Sequence, residues 1–123
     1  MKYLVIALVV FGGFFYFMSG AKSYNLDSSA LQAKIAAQED FILLDVRTQE
    51  EYNQGHIPTA ILLPYDEVEA KAAQLLPLKE QEIVIYCRSG RRSAIALEAL
   101  QKLGYQKAED FGGISRWQGQ LEK

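Results

Sequence analysis

Cys87 is the chain's one cysteine, and Arg88, Arg91 and Arg92 follow it within five positions. A thiolate is a strong sulfur nucleophile, and its fraction at neutral pH depends on its surroundings. A free thiol has a pKa of about 8.5, whereas a helix N-terminus with nearby cations brings cysteines down to roughly 3.5–7.5. The stretch "CRSGRRS", residues 87–93, offers both influences, and no Asp or Glu occurs between Ile83 and Leu97 to neutralise its cations. Gly90 lets the backbone curl so that successive N–H groups turn inward as a nest for an anion. The competing reading is a buried structural cysteine beside a solvated basic turn. The glycine and the helix start that follows argue against it.

The flanking residues explain how such a loop would be held. Ile83 to Tyr86 are four apolar residues, all of them β-branched or aromatic, which reads as a buried strand. From Ser93 the period changes: Ala94, Leu97, Leu100 and Leu103 recur at helical spacing, and Gly104 is placed as the left-handed residue that closes the helix. Residues 87–92 are therefore expected as a loop between strand and helix. Upstream, "SALQAKIAAQ" opens with Ser29-x-x-Gln32, a capping-box pattern, and sets Leu31 and Ile35 on one helical face. "FILLDV", residues 41–46, reads as a buried strand and "EEYNQG" as a short helix ending at Gly55. "AILLP" is a second short strand, and "DEVEAKAAQLLP" a helix with Val68, Ala72, Leu75 and Leu76 inward. Apolar strands alternating with helices predict an α/β fold: a mostly parallel central sheet covered by helices on both faces. In such sheets ligands bind beyond the carboxyl ends of the strands, where the Cys87 loop falls.

Composition excludes several classes. At 123 residues, half of them hydrophobic, the chain has room for one domain with a proper core. A single cysteine excludes an internal disulfide, a Cys-x-x-Cys redox pair and a multi-cysteine zinc site. A formal charge of -2 and the lack of a basic, aromatic-interleaved face argue against nucleic acid. Residues 3–21, "YLVIALVVFGGFFYFMSGA", carry no charge and follow Met1 and Lys2, so residues 1–21 read as a signal peptide or an N-terminal membrane anchor. Ser19 and Ala21 fit a cleavage site. The nineteen-residue uncharged run is also long enough to span a bilayer. Either way residues 22–123 are expected in the periplasm of a Gram-negative source, with membrane contact only through residues 3–21 if these are retained.

Three separated segments resemble one family. "CRSGRRS" is similar to the active-site loop of rhodanese-type sulfurtransferases; "LLDVRTQEEYNQGHIPTAILLP", residues 43–64, resembles that family's upstream segment; "GGISRWQG", residues 112–119, resembles its closing Gly-Gly and Trp element. The likeness spans about residues 24–123, and within the family it is nearest to small, exported, single-domain thiosulfate sulfurtransferases. Thr59 departs from it, standing where glycine is common. The resemblance implies a rhodanese-like three-layer fold over residues 22–123, acting as a monomer without metal or organic cofactor. It also implies that Cys87 takes the outer sulfur of thiosulfate as a persulfide, releases sulfite, and yields the sulfur to cyanide or a thiol. Arg88, Ser89, Gly90, Arg91, Arg92 and Ser93 would form the substrate-binding loop, the arginines holding the dianion and the N–H groups the terminal sulfur.

Two other readings stand beside this one. Cysteine phosphatases and arsenate reductases place an arginine six residues after the nucleophile, where this chain has Ser93; Arg92 is one position short. A membrane-tethered persulfide carrier or binding module would use the same fold without turnover. Elsewhere His56, the single histidine, reads as structural. Asp45 is placed to meet a loop arginine, Arg47 and Glu51 are spaced as an ordinary ion pair, and Trp117 with Ile114 reads as core packing.

Overall fold

A computed structural model describes residues 23–123, so the expectation for residues 1–21 lies outside the described residues. Among those described, no helix is long and apolar enough to cross a membrane. Four strands, β1 (Ile42–Asp45), β2 (Ile61–Leu62), β3 (Ile83–Cys87) and β4 (Ala108–Gly113), form one parallel sheet in the order β2-β1-β3-β4. The near-continuous apolar strands have the composition that a sheet buried on both faces requires. Among the described residues four α-helices accompany them: α1 (Ser28–Ala36), α2 (Gln49–Gln54), α3 (Val68–Leu75) and α4 (Arg91–Lys102).

Alternation along the strands divides the core into two layers. Leu44, Val46, Ile83, Ile85 and Cys87 share one cluster with Val68, Ala72 and Leu76 from α3 and its end and Ala96 and Leu100 from α4. Leu43, Val84 and Tyr86 belong to the other, with Leu31 of α1, Ile57, Ala60 and Phe111. Each fully buried Leu or Ile contributes roughly 1.5–3 kcal/mol of transfer free energy, so both clusters are substantial. The same parity sends Cys87 toward α4 and its neighbour Tyr86 to the opposite face.

Several local expectations shift. The cap of α1 is Asp27, whose carboxylate accepts from the Ala30 N–H at 2.8 Å, while Gln32 bonds the Ser28 hydroxyl instead of completing a Ser29 box. Asp27 lies just before the apolar pattern and is the stronger acceptor. The reciprocal box occurs on α2, between Thr48 and Glu51. Leu75 is 41 % exposed, because α3 ends there and turns only Leu76 inward. Gly104 has φ +101, the left-handed conformation its place after α4 predicts.

Candidate active site

β3 ends on Cys87 and α4 begins at Arg91, so only Arg88, Ser89 and Gly90 lie between them. The helix starts two residues earlier than its apolar period suggests. Gly90, at φ +104, turns the chain sharply enough to cap it, and arginine is a good helix former. Arg91 and Arg92 consequently sit in the first turn, where cations oppose the helix dipole.

That sharp turn brings backbone donors to the sulfur. The Gly90 N–H donates to Cys87 Sγ at 2.9 Å. The first intrahelical bond runs from the Ala94 N–H to the Gly90 carbonyl, so the amides of Arg91, Arg92 and Ser93 have no partner within the helix. Ser93, fully buried, completes the shell: its hydroxyl accepts from the Cys87 thiol at 3.4 Å and donates to the Gly90 carbonyl at 3.2 Å. Once the thiol loses its proton, the same rotatable hydroxyl is free to donate to sulfur instead. Cys87 itself is fully buried beneath this loop, whereas Arg88 and Ser89 above it are exposed.

The seven sequence-predicted residues are therefore contiguous in space but differ in how their side chains are engaged. Arg88 and Arg91 are exposed and have no side-chain hydrogen bond or ion pair among the described residues. Arg92 differs: its guanidinium makes a two-point contact with Glu51, at 2.7 and 3.0 Å. This bond holds the Glu51 carboxyl down to about 2 and raises Arg92 above its usual value. The expected Arg47–Glu51 pair is thus replaced by Arg92–Glu51. Arg47 is instead nine-tenths buried on Asp45, with Nε 2.9 Å from Oδ1 and Nη2 2.7 Å from Oδ2, and it also donates to the Gly55 carbonyl.

Asp45 likewise meets no loop arginine. Strand parity puts it on the α1 face with Leu43, where it takes a 2.7 Å bond from the Tyr86 hydroxyl. Burial beside that carboxylate pushes the Tyr86 hydroxyl well up, so it stays a donor, and it accepts in turn from the Ile57 N–H. His56 stacks on Tyr52 at 3.9 Å between centroids, pairs by backbone with Glu122, and is shifted down by burial. It faces this network and not the thiol. Trp117 and Ile114 pack against the α1-side cluster, as their types suggest.

The far wall of the loop comes from β4. Between Ile85 and Tyr86 the pairing slips by one residue, leaving Phe111 as a bulge and Gly112 at φ +97. Gly113 then pairs with Cys87 so closely that a Cβ on it would lie 2.6 Å from the Arg88 carbonyl. The glycine pair was visible in the sequence; its contact with the loop depends on the bulge. Among the described residues no group of three or more His, Cys, Asp or Glu is placed to hold a metal.

Residues 27–120 match the family model described as the Rhodanese-like domain. A sulfurtransferase of Allochromatium vinosum is 39% identical over 94 residues, covering 76% of this chain and 86% of that protein. The thiosulfate sulfurtransferase PspE of Escherichia coli is 39% identical over 71 residues, 58% of this chain and 68% of PspE. Among solved structures, a rhodanese with anions from E. coli superposes with a TM-score of 0.63 at 35% identity, covering 67% of this chain and 96% of that one. The human single-domain sulfurtransferase TSTD1 gives 0.63 at 30% identity, covering 75% and 91%.

Proposed function

The chain belongs to the rhodanese-like domain family, and from that premise we propose that it moves the outer sulfur of thiosulfate to cyanide or a thiol through a persulfide on Cys87. Sulfurtransferase is the activity that its relatives' names carry. The observation that carries the finer reading is the 2.9 Å bond from the Gly90 N–H to Cys87 Sγ at the start of α4, flanked by the unpaired Arg88 and Arg91.

The chemistry balances in two steps. Cys87 thiolate attacks the outer sulfur of thiosulfate; an S–S bond forms to Cys87, the sulfur–sulfur bond of thiosulfate breaks, and sulfite leaves with its electron pair. The persulfide keeps one negative charge. Cyanide or a thiolate then attacks its terminal sulfur and departs as thiocyanate or a new persulfide, restoring Cys87. Arg88 and Arg91 attract the dianion and stabilise the departing sulfite, while Gly90 and the first amides of α4 are suited to one anionic sulfur atom. A three-residue loop with Ser93 at the sixth position also supports sulfur transfer over attack at the centre of a tetrahedral oxyanion. The export reading of residues 1–21 places this reaction in the periplasm, where an alkaline-phosphatase fusion at the C-terminus should be active.

Intact-protein mass spectrometry tests the mechanism directly. Thiosulfate alone should add one sulfur atom to the purified protein, and cyanide should remove it. Addition of a whole thiosulfate, or turnover without any added mass, would reject the persulfide. Loading without steady turnover across a panel of cyanide and thiols would make the protein a carrier instead.

A further inference from the structure

Behind the Cys87 loop lies an aromatic ring from a distant part of the sequence. Tyr24, half-buried, packs its ring on Gly112, where a Cβ would lie 2.7 Å from the ring's Cζ and 3.0 Å from Cε2. Its hydroxyl reaches Gly90, where a Cβ would lie 2.9 Å away. Gly90 is the residue whose N–H holds the sulfur, and the same Cβ position lies 3.9 Å from the Gly112 Cα and 4.0 Å from the Gly113 N. Tyr24, Gly90 and Cys87 Sγ thus form a continuous stack.

The ring is itself fastened from the end of β4. The Arg116 guanidinium lies 4.6 Å from the centre of the Tyr24 ring and 4.7 Å from that of Phe111, a cation held between two aromatic faces. It donates to the Leu26 carbonyl at 3.2 Å and to the Phe111 carbonyl. Arg116 therefore clips residues 24–26 to the strand that backs the loop.

We infer that Tyr24 is a positioning residue for the Cys87 loop: its ring, clipped by Arg116, rests on Gly112 and sets the hydroxyl against Gly90, holding Gly90 in the left-handed turn that aims its N–H at sulfur. The physical reason is the cost of that turn. Glycine loses more freedom on ordering than any other residue, and the bonds that hold Gly90 from within residues 87–94 are supplemented by packing against Tyr24, Gly112 and Gly113. The ring on Gly112 and the hydroxyl against Gly90 together remove the space into which the turn would relax. This inference deepens the sulfur-transfer reading and rests on Cys87 being the reacting atom.

The test uses the full chain and the fact that it has one thiol. Alkylation by iodoacetamide under native conditions reports loop opening at buried Cys87. Tyr24→Ala and Arg116→Ala should each speed alkylation by about tenfold, because local opening becomes easier than in the clipped loop. Hydrogen exchange at the Gly90 amide should rise with it, and the thiosulfate-loaded persulfide should decay faster. Tyr24→Phe, which keeps the ring on Gly112 and loses the atom at Gly90, should fall between wild type and Tyr24→Ala. Ile35→Ala, which removes a half-buried contact on α1 away from the loop, should lower stability but leave alkylation unchanged. Wild-type alkylation in Tyr24→Ala, equal acceleration in Ile35→Ala, or a Tyr24→Phe protein that alkylates faster than Tyr24→Ala would overturn the inference. These readouts need no turnover: a wild-type chain that takes no sulfur from thiosulfate defeats the function proposed above while alkylation still decides the role of Tyr24.

Discussion

The loop at residues 87–93 and the network of Asp45, Arg47 and Tyr86 adjoin at Tyr86 and Cys87 and are opposite in construction. Tyr86 and Cys87 are consecutive, yet one faces α1 and the other α4. In the network an arginine is nine-tenths buried, its charge met by a fully buried carboxylate, which also accepts from the Tyr86 hydroxyl, and by a backbone carbonyl. In the loop, by contrast, Arg88 and Arg91 stand exposed with no partner of their own among the described residues, and the Gly90 N–H donates to the sulfur. Charge that is fully paired specifies structure, and charge left unpaired beside a nucleophile is available to a substrate. Arg92 lies between these limits, inside the loop by sequence and committed to Glu51 by contact.

Substitutions at the two regions should separate activity from stability. Cys87→Ser should abolish transfer while folding cooperatively, since a serine hydroxyl forms no persulfide; turnover surviving in that variant contradicts the mechanism. Asp45→Ala should do the reverse. Removing one partner of a buried ion pair costs about 3–5 kcal/mol, because Arg47 keeps its charge without compensation. Urea unfolding should show that loss, and the fraction still folded should load sulfur normally. An Asp45→Ala protein of unchanged stability would mean the network is less important than its burial indicates.

Arg88→Ala probes the unpaired cations. One charge-assisted hydrogen bond is worth about 1.5–3 kcal/mol, so kcat/KM for thiosulfate should fall roughly ten- to hundredfold. Use of an uncharged persulfide donor should change far less; equal losses with both donors would assign Arg88 a structural part.

Glu51→Gln tests the intermediate case by pH. The folded-state Glu51 is held down to about 2 against an ordinary value of 4.5, first by its bonds to Arg92. Its contribution to stability is therefore complete above pH 4.5 and disappears as pH falls toward 2. Glu51→Gln should be slightly less stable than wild type at pH 7 and should lack that component of the acid loss. Parallel pH profiles for the two proteins would show that the pair contributes nothing.

The smallest effect is expected away from both regions. Thr59 has φ +73, a left-handed conformation that costs an L-residue roughly 1–2 kcal/mol. Thr59→Gly should relieve it, less about 0.4–1 kcal/mol for the greater freedom of the unfolded chain. A rise of up to about 1.5 kcal/mol in unfolding free energy should be measurable with activity unchanged. A loss of stability would indicate that the threonine side chain makes up for its backbone.

What was readable in the sequence by itself is local. The apolar run into Cys87, the helical period after it, and the glycines at 90 and 104 depend on neighbours within a few residues, and turn chemistry and periodicity specify them. They gave the proposed nucleophile, the kind of sheet and the strand end at which the candidate loop lies. Which charge meets which was decided by the tertiary structure. Arg47 and Glu51 are spaced for pairing along a helix, but Arg47 lies before α2 begins and turns back to Asp45, and Glu51 finds Arg92, 41 residues away. Asp45 was diverted from the loop by strand parity, and Tyr24 reached Gly90 only because a bulge at Phe111 put Gly112 beneath its ring. Such pairings follow from register and side-chain direction across the sheet. A one-residue slip reverses both, and no spacing within a single segment encodes them.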